Sequence, residues 1–158
     1  MKFPTNYHVN LTNYLNWNIA NMMNFGKCET TTERSIIVLK ENRSRLVIKN
    51  SQNEKIRKVW VDGCVITEGQ RCDFLLIGSN NSEYFVELKG CDVEHAIKQL
   101  ETTINLLGAK IKSVQRHSIV ISTRCPLLTP KIQKLKSHFR KDLMSELTIK
   151  NQCWELVI

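Results

Sequence analysis

Two short apolar runs, residues 72–77 (CDFLLI) and 84–89 (YFVELK), are separated by GSNNSE and followed almost at once by an amphipathic repeat. Runs rich in Phe, Tyr, Val and Ile on either side of a cluster of turn formers predict a β-hairpin. Side chains alternate between the faces of a strand. Phe85, Glu87 and Lys89 therefore share one face, and Tyr84, Val86 and Leu88 the other. A hairpin closed symmetrically around Asn80 sets Ile77 opposite Glu83 and Asp73 opposite Glu87, with Cβ atoms about 4.5–5.5 Å apart.

Two facing carboxylates with a lysine beside them are costly within largely apolar strands, because unpaired buried charge is expensive. A divalent cation between the carboxylates relieves that cost, and hard oxygen donors at this spacing suit Mg²⁺ or Mn²⁺. The competing reading is a Glu87–Lys89 ion pair on a solvent-facing strand, with Asp73 merely ending its strand.

The rest of the chain builds around this hairpin. Thr30, Thr31 and Thr32 before Glu33 and the apolar residues 36–39 predict a helix over about 31–43, opened by a threonine N-cap and an acidic first turn. Residues 45–49 and 56–66 read as strands, with Gly63 marking a bend. Asp92 is a good N-cap, and Val93, Ala96, Ile97, Leu100, Ile104 and Leu107 recur at helical intervals up to Gly108. Residues 118–122 (SIVIS) predict a buried strand. Thr129 and Pro130 open a basic helix to about 144, and residues 147–150 and 154–158 predict two closing strands. The expected fold is α/β, a mixed central sheet flanked by helices. The 158 residues fit one domain: an N-terminal arm or short helix over 1–26, a core over 31–123 and a C-terminal extension over 127–158.

An Asp opening one strand, Glu-X-Lys closing the next and a helix following resembles the PD-(D/E)XK nuclease superfamily. The matching stretch is CDFLLIGSNNSEYFVELKGCDVEHAIKQLE, residues 72–101, within an order over about 31–123 that looks like that family's αβββαβ restriction-endonuclease-like core. Cys72 stands where the family often has proline. The resemblance implies a Mg²⁺- or Mn²⁺-dependent phosphodiester hydrolase. Asp73 and Glu87 would ligate the metal, with the backbone carbonyl of Leu88 a further ligand, and Lys89 would position or deprotonate the attacking water. Gln99 matches a glutamine that exonuclease-like branches aim at the site; the tyrosine they carry four residues later is Thr103 here. A polar helix face accounts for Gln99 equally well, and for His95, one turn before it. Glu33 matches an acidic residue that completes the metal shell in family members; a favourable charge at a helix N-terminus is its alternative account. Glu68 reads as a loop residue.

Lysine and arginine total 23 against 15 acidic residues, a formal net charge of +8, which suits a polyanionic partner. With the resemblance, the expected partner is nucleic acid, DNA before RNA, contacted through Lys110, Lys112, Arg116 and the basic residues after Pro130. A homodimer or a subunit of a larger repair, recombination or anti-phage defence complex fits such a nuclease. A non-cleaving nucleic-acid-binding or assembly protein on the same fold is the alternative. No run approaches the roughly 18 apolar residues of a membrane helix, and no signal peptide opens the chain. The six cysteines show no CxxC pair or zinc spacing, so a reducing cytoplasm and free thiols are expected.

Overall fold

The hairpin forms the centre of a six-stranded mixed sheet in the computed structural model, which describes residues 24–108, 115–124 and 129–158. A 3-10 turn, Gly26–Cys28, precedes β1 (Glu29–Thr32). Then come β2 (Ile36–Glu41), β3 (Ser44–Lys49), β4 (Ile56–Trp60), β5 (Phe74–Ile77) and β6 (Glu83–Lys89). Helix α1 (Val93–Leu107), β7 (Arg116–Ser122), helix α2 (Pro130–Asp142), β8 (Glu146–Asn151) and β9 (Cys153–Val157) complete the order.

The large sheet runs β1-β4-β5-β6-β7-β8; its first four strands pair antiparallel, and β6, β7 and β8 run parallel. Helix α1 makes the crossover from β6 to β7, and α2 that from β7 to β8. Both helices lie on one face: Leu75, Ile77, Phe85 and Val120 pack with Ala96, Ile97, Leu100, Ile132 and Phe139. Against the other face lies a second sheet, β2-β3-β9, whose Leu39, Leu46 and Ile48 meet Leu76, Val86, Leu88, Ile119 and Ile121. The α/β class and mixed sheet are as expected, with the helices on one face only among the described residues.

The helix expected over about 31–43 is absent; that segment is β1 and β2. Successive β-branched residues favour extended backbone, and Ile37 and Leu39 point inward while Ile36 and Val38 are exposed, a period of two rather than of a helix turn. The tight β2–β3 turn holds Asn42 at φ 48°. The strand expected over 56–66 stops at Trp60, and the chain turns through Gly63 at φ 70°, a conformation glycine adopts freely. The later elements follow the sequence: Asp92 Oδ1 accepts from the His95 N–H and Thr129 Oγ1 from that of Ile132, so both helices are capped as expected. The N-terminal arm over 1–26 lies almost wholly outside the described residues.

Cysteines 28 and 64 form a disulfide, which corrects the expectation of free thiols. Pairing of β1 with β4 brings the turns that carry them together, a proximity with no CxxC signature. Among the described residues Cys72, Cys91 and Cys153 are free. No helix among the described residues is long and apolar enough to cross a membrane.

Candidate metal centre

Strand β6 presents Glu87 and Lys89 at its C-terminal end, and β5 begins just after Asp73. The hairpin register is the expected one, Ile77 against Glu83 through Phe74 against Val86, with a turn held by Gly78 N–H to Ser82 O and Asn81 N–H to Gly78 O. The ladder stops one residue short of Asp73, so Asp73 does not form the regular pair opposite Glu87. Its N–H donates to Val86 O (3.1 Å), and its own carbonyl accepts from Val61 N–H (2.9 Å). Cys72 and Leu75 both pack on the helix side, so the alternation breaks between them. Asp73 leaves the ladder there, and its Oδ2 accepts from Leu88 N–H at 2.6 Å.

Glu87 is 2% exposed. Its Oε1 lies 3.6 Å from Lys89 Nζ, and its Oε2 has no hydrogen-bond partner among the described residues. Lys89 Nζ donates to Gln99 Oε1 (3.1 Å), and Gln99 Nε2 to the carbonyl of Arg71 (2.7 Å). The structure thus brings together Asp73, Glu87, Lys89 and Gln99, with Leu88 between the two charged residues of β6.

Burial pushes the Glu87 carboxyl up to about 8, with the charge of Asp73 adding to it and Lys89 opposing. Burial likewise raises Asp73 to about 6, against the Leu88 N–H bond, with Glu41 and Asp62 adding negative charge nearby. Burial is thus the main cause at both carboxyls, and perturbed carboxyls of this kind concentrate at functional sites.

Glu33 is not part of this cluster. It follows Thr32, whose partner Ile56 lies at the turn end of the sheet, whereas Asp73 and Glu87 lie at the opposite end. It stands exposed in a connection, not on a helix. The acidic residue that does act on the cluster is Glu41, whose charge raises both Asp73 and Glu87. It ends β2, beside Ser44, whose Oγ donates to the Lys89 carbonyl at 2.8 Å. Reading 36–41 as a strand ending in a charged turn would have pointed to it.

Thr103 is a second residue whose part was missed. Fully buried on α1, its Oγ1 accepts from Cys72 N–H (2.8 Å) and donates to the Gln99 carbonyl (2.8 Å). Cys72 and Thr103 are thus in direct contact. A proline at 72 has no N–H to give. The spacing of Gln99 and Thr103, one helical turn apart, was the available signal.

His95 is half-buried, its N–H held by the Asp92 cap, and Glu68 is an exposed loop residue. Arg116 is not a surface phosphate contact: it is buried, with Nε 2.7 Å from Glu83 Oε2 and Nη1 donating to the Leu143 carbonyl. Lys110 and Lys112 lie outside the described residues. On α2, Lys131 is engaged by Glu94, and Arg140 and Lys141 occupy the last turn.

As a donor set for a hard cation the cluster offers two carboxylates and main-chain carbonyls; among the described residues no three His, Cys, Asp or Glu side chains converge to hold a metal by themselves. The unpartnered Glu87 Oε2 fits such an ion, since a buried carboxylate oxygen without a donor is what a cation would satisfy. No protein-family model, curated protein or solved structure matches this chain.

Proposed function

We propose that this chain is a metal-dependent nuclease that hydrolyses phosphodiester bonds, with DNA the preferred substrate and RNA a lesser one. The observation that carries the reading is the buried, unpartnered Glu87 Oε2 beside Asp73 and Lys89. Asp73, Glu87 and the Leu88 carbonyl would hold Mg²⁺ or Mn²⁺. Such an ion supplies Lewis acidity and lowers the pKa of a water bound to it. The chain's own residues do the remainder. The Leu88 N–H fixes the direction of the Asp73 carboxylate. Gln99 holds the Lys89 ammonium toward Glu87, where it can orient an attacking water and offset charge at the phosphate. Thr103 and Gln99 fasten the backbone before β5 to α1, so the Asp73 strand end is braced by a helix.

Such an enzyme would serve DNA repair, recombination or anti-phage defence, as a homodimer or as one subunit of a larger complex. The test is incubation with plasmid, linear duplex and single-stranded DNA and RNA, with Mg²⁺, with Mn²⁺ and with EDTA, beside Asp73→Ala. Cleavage that needs the metal and is lost in the variant is expected. Cleavage that persists in EDTA and in Asp73→Ala would overturn the assignment. Binding with no cleavage on any substrate would favour a non-cleaving nucleic-acid-binding subunit.

A further inference from the structure

A polar groove of about 340 Å³ runs between the open edges of the two sheets. One wall is the free end of the large sheet, where Thr30 and Thr32 of β1 and Lys58 and Trp60 of β4 line it; the other is the edge strand β2, at Val38. Arg34, in the β1–β2 connection, lines it as well.

Lys58 is unusual. It is half-buried, and its Nζ lies 4.7 Å from the Trp60 ring centroid and 5.1 Å from that of Phe74. Neither Lys58 nor Arg34 forms an ion pair among the described residues. Partial burial of a cation is unfavourable without a counter-charge, and burial lowers the Lys58 pKa. Aromatic faces compensate only in part. Two cations lacking carboxylates, threonine hydroxyls and an indole in one groove match the chemistry of a single polynucleotide strand: phosphates for the cations, a base for the ring.

One residue of the groove, Trp60, stands at the carboxylate end of the sheet. Trp60 pairs with Phe74, the residue after Asp73, and Val61 N–H bonds to the Asp73 carbonyl.

We infer that this groove is the path of a single-stranded segment of the nucleic-acid substrate, with Lys58 and Arg34 on successive phosphates and Trp60 under a base. The inference rests on the nuclease reading for its purpose and is tested apart from it. Binding of a short labelled single-stranded DNA is measured by fluorescence anisotropy in EDTA, on an Asp73→Asn background, across a salt series, with RNA and duplex arms.

Lys58→Ala combined with Arg34→Ala is expected to weaken single-strand binding at least tenfold and to lower the slope of log affinity against log salt by about 1.4, the value for two lost phosphate contacts. Trp60→Ala is expected to weaken it roughly fivefold or more and Trp60→Phe to restore most of it, because stacking tolerates any aromatic ring. Lys58→Arg controls for charge and should keep the salt slope; circular dichroism and thermal melts confirm the fold of each variant. Absence of single-strand binding, a duplex preferred over a single strand, or unchanged affinity and slope in the folded double variant overturns the groove. Groove-dependent binding without metal-dependent cleavage of any substrate overturns the nuclease and leaves the groove standing. Cleavage with groove-independent binding does the reverse.

Discussion

Glu87→Gln should make the metal-free protein more stable while abolishing metal-dependent cleavage. Glu87 is 2% exposed with one oxygen unpartnered, and its carboxyl rises from 4.5 to about 8 on folding. The sign follows from linkage: between these pH values the folded state holds the proton more tightly than the unfolded one, so stability falls as pH climbs from about 4.5 toward about 8. At pH 7.5 the ceiling on this loss is about 4 kcal/mol, and water penetration and relaxation reduce it to about 2 kcal/mol. Glutamine keeps the shape and removes the charge, and Lys89 retains its bond to Gln99. For a domain of this size, about 2 kcal/mol corresponds to a rise in Tm of roughly 4–8 °C. Melts of both proteins in EDTA at pH 7.5 and pH 4.5 provide the assay: the gain should be present at the first pH and vanish at the second. Adding Mn²⁺ at pH 7.5 should then raise the wild-type Tm and leave the variant's unmoved, since only an ion that binds the native state stabilises it. A variant that melts below wild type at pH 7.5, or a difference independent of pH, would refute the reasoning.

Three further outcomes follow from other contacts. Thr103→Val leaves the Cys72 N–H without its acceptor and should cost about 1–3 kcal/mol by denaturant titration, with cleavage falling because the Asp73 end loses its brace. Arg116→Met leaves Glu83 buried opposite an apolar group and should cost about 3–5 kcal/mol, whereas Arg116→Met with Glu83→Leu should recover much of the loss in the same titration. Cys28→Ser opens the bridge to Cys64 and should cost about 4 kcal/mol by the loop-closure relation for a separation of 36 residues; thiol counting in denaturant with and without reductant checks that the bridge forms, and equal Tm values for the variant and wild type would refute its contribution.

Much of the site was legible because it depends on local rules. The turn residues between the two apolar runs fixed the hairpin centre, and from that centre Ile77 faces Glu83 as counted. Asp92 and Gly108 bracketed α1, which carries Gln99 to Lys89. What failed required knowledge of partners distant in sequence. Thr30 to Glu33 has the chemistry of a helix start, but β1 gains its pairing from β4, and Ile37 and Leu39 gain their burial from the opposing sheet. That error moved the expected acidic support to Glu33 and hid Glu41. The departure of Asp73 from the ladder was likewise invisible, since it is set by bonds to Val61 and Leu88 on two different neighbours. Arg116 illustrates the same limit: its charge suggested a surface, and only Glu83 and the Leu143 carbonyl explain why it is inside.

The parallel pairing of β3 with β9 has a consequence for how the molecule is made. Residues 45–49 are joined to 153–157, so the small sheet cannot be completed until nearly all of the described chain is available. Until then the β2–β3 hairpin is a two-stranded ribbon, marginal by itself, with the backbone edge of β3 unpaired and open to association. Closure over so long an interval is slow. A partly synthesised chain therefore holds its carboxylates before the second sheet is complete behind them.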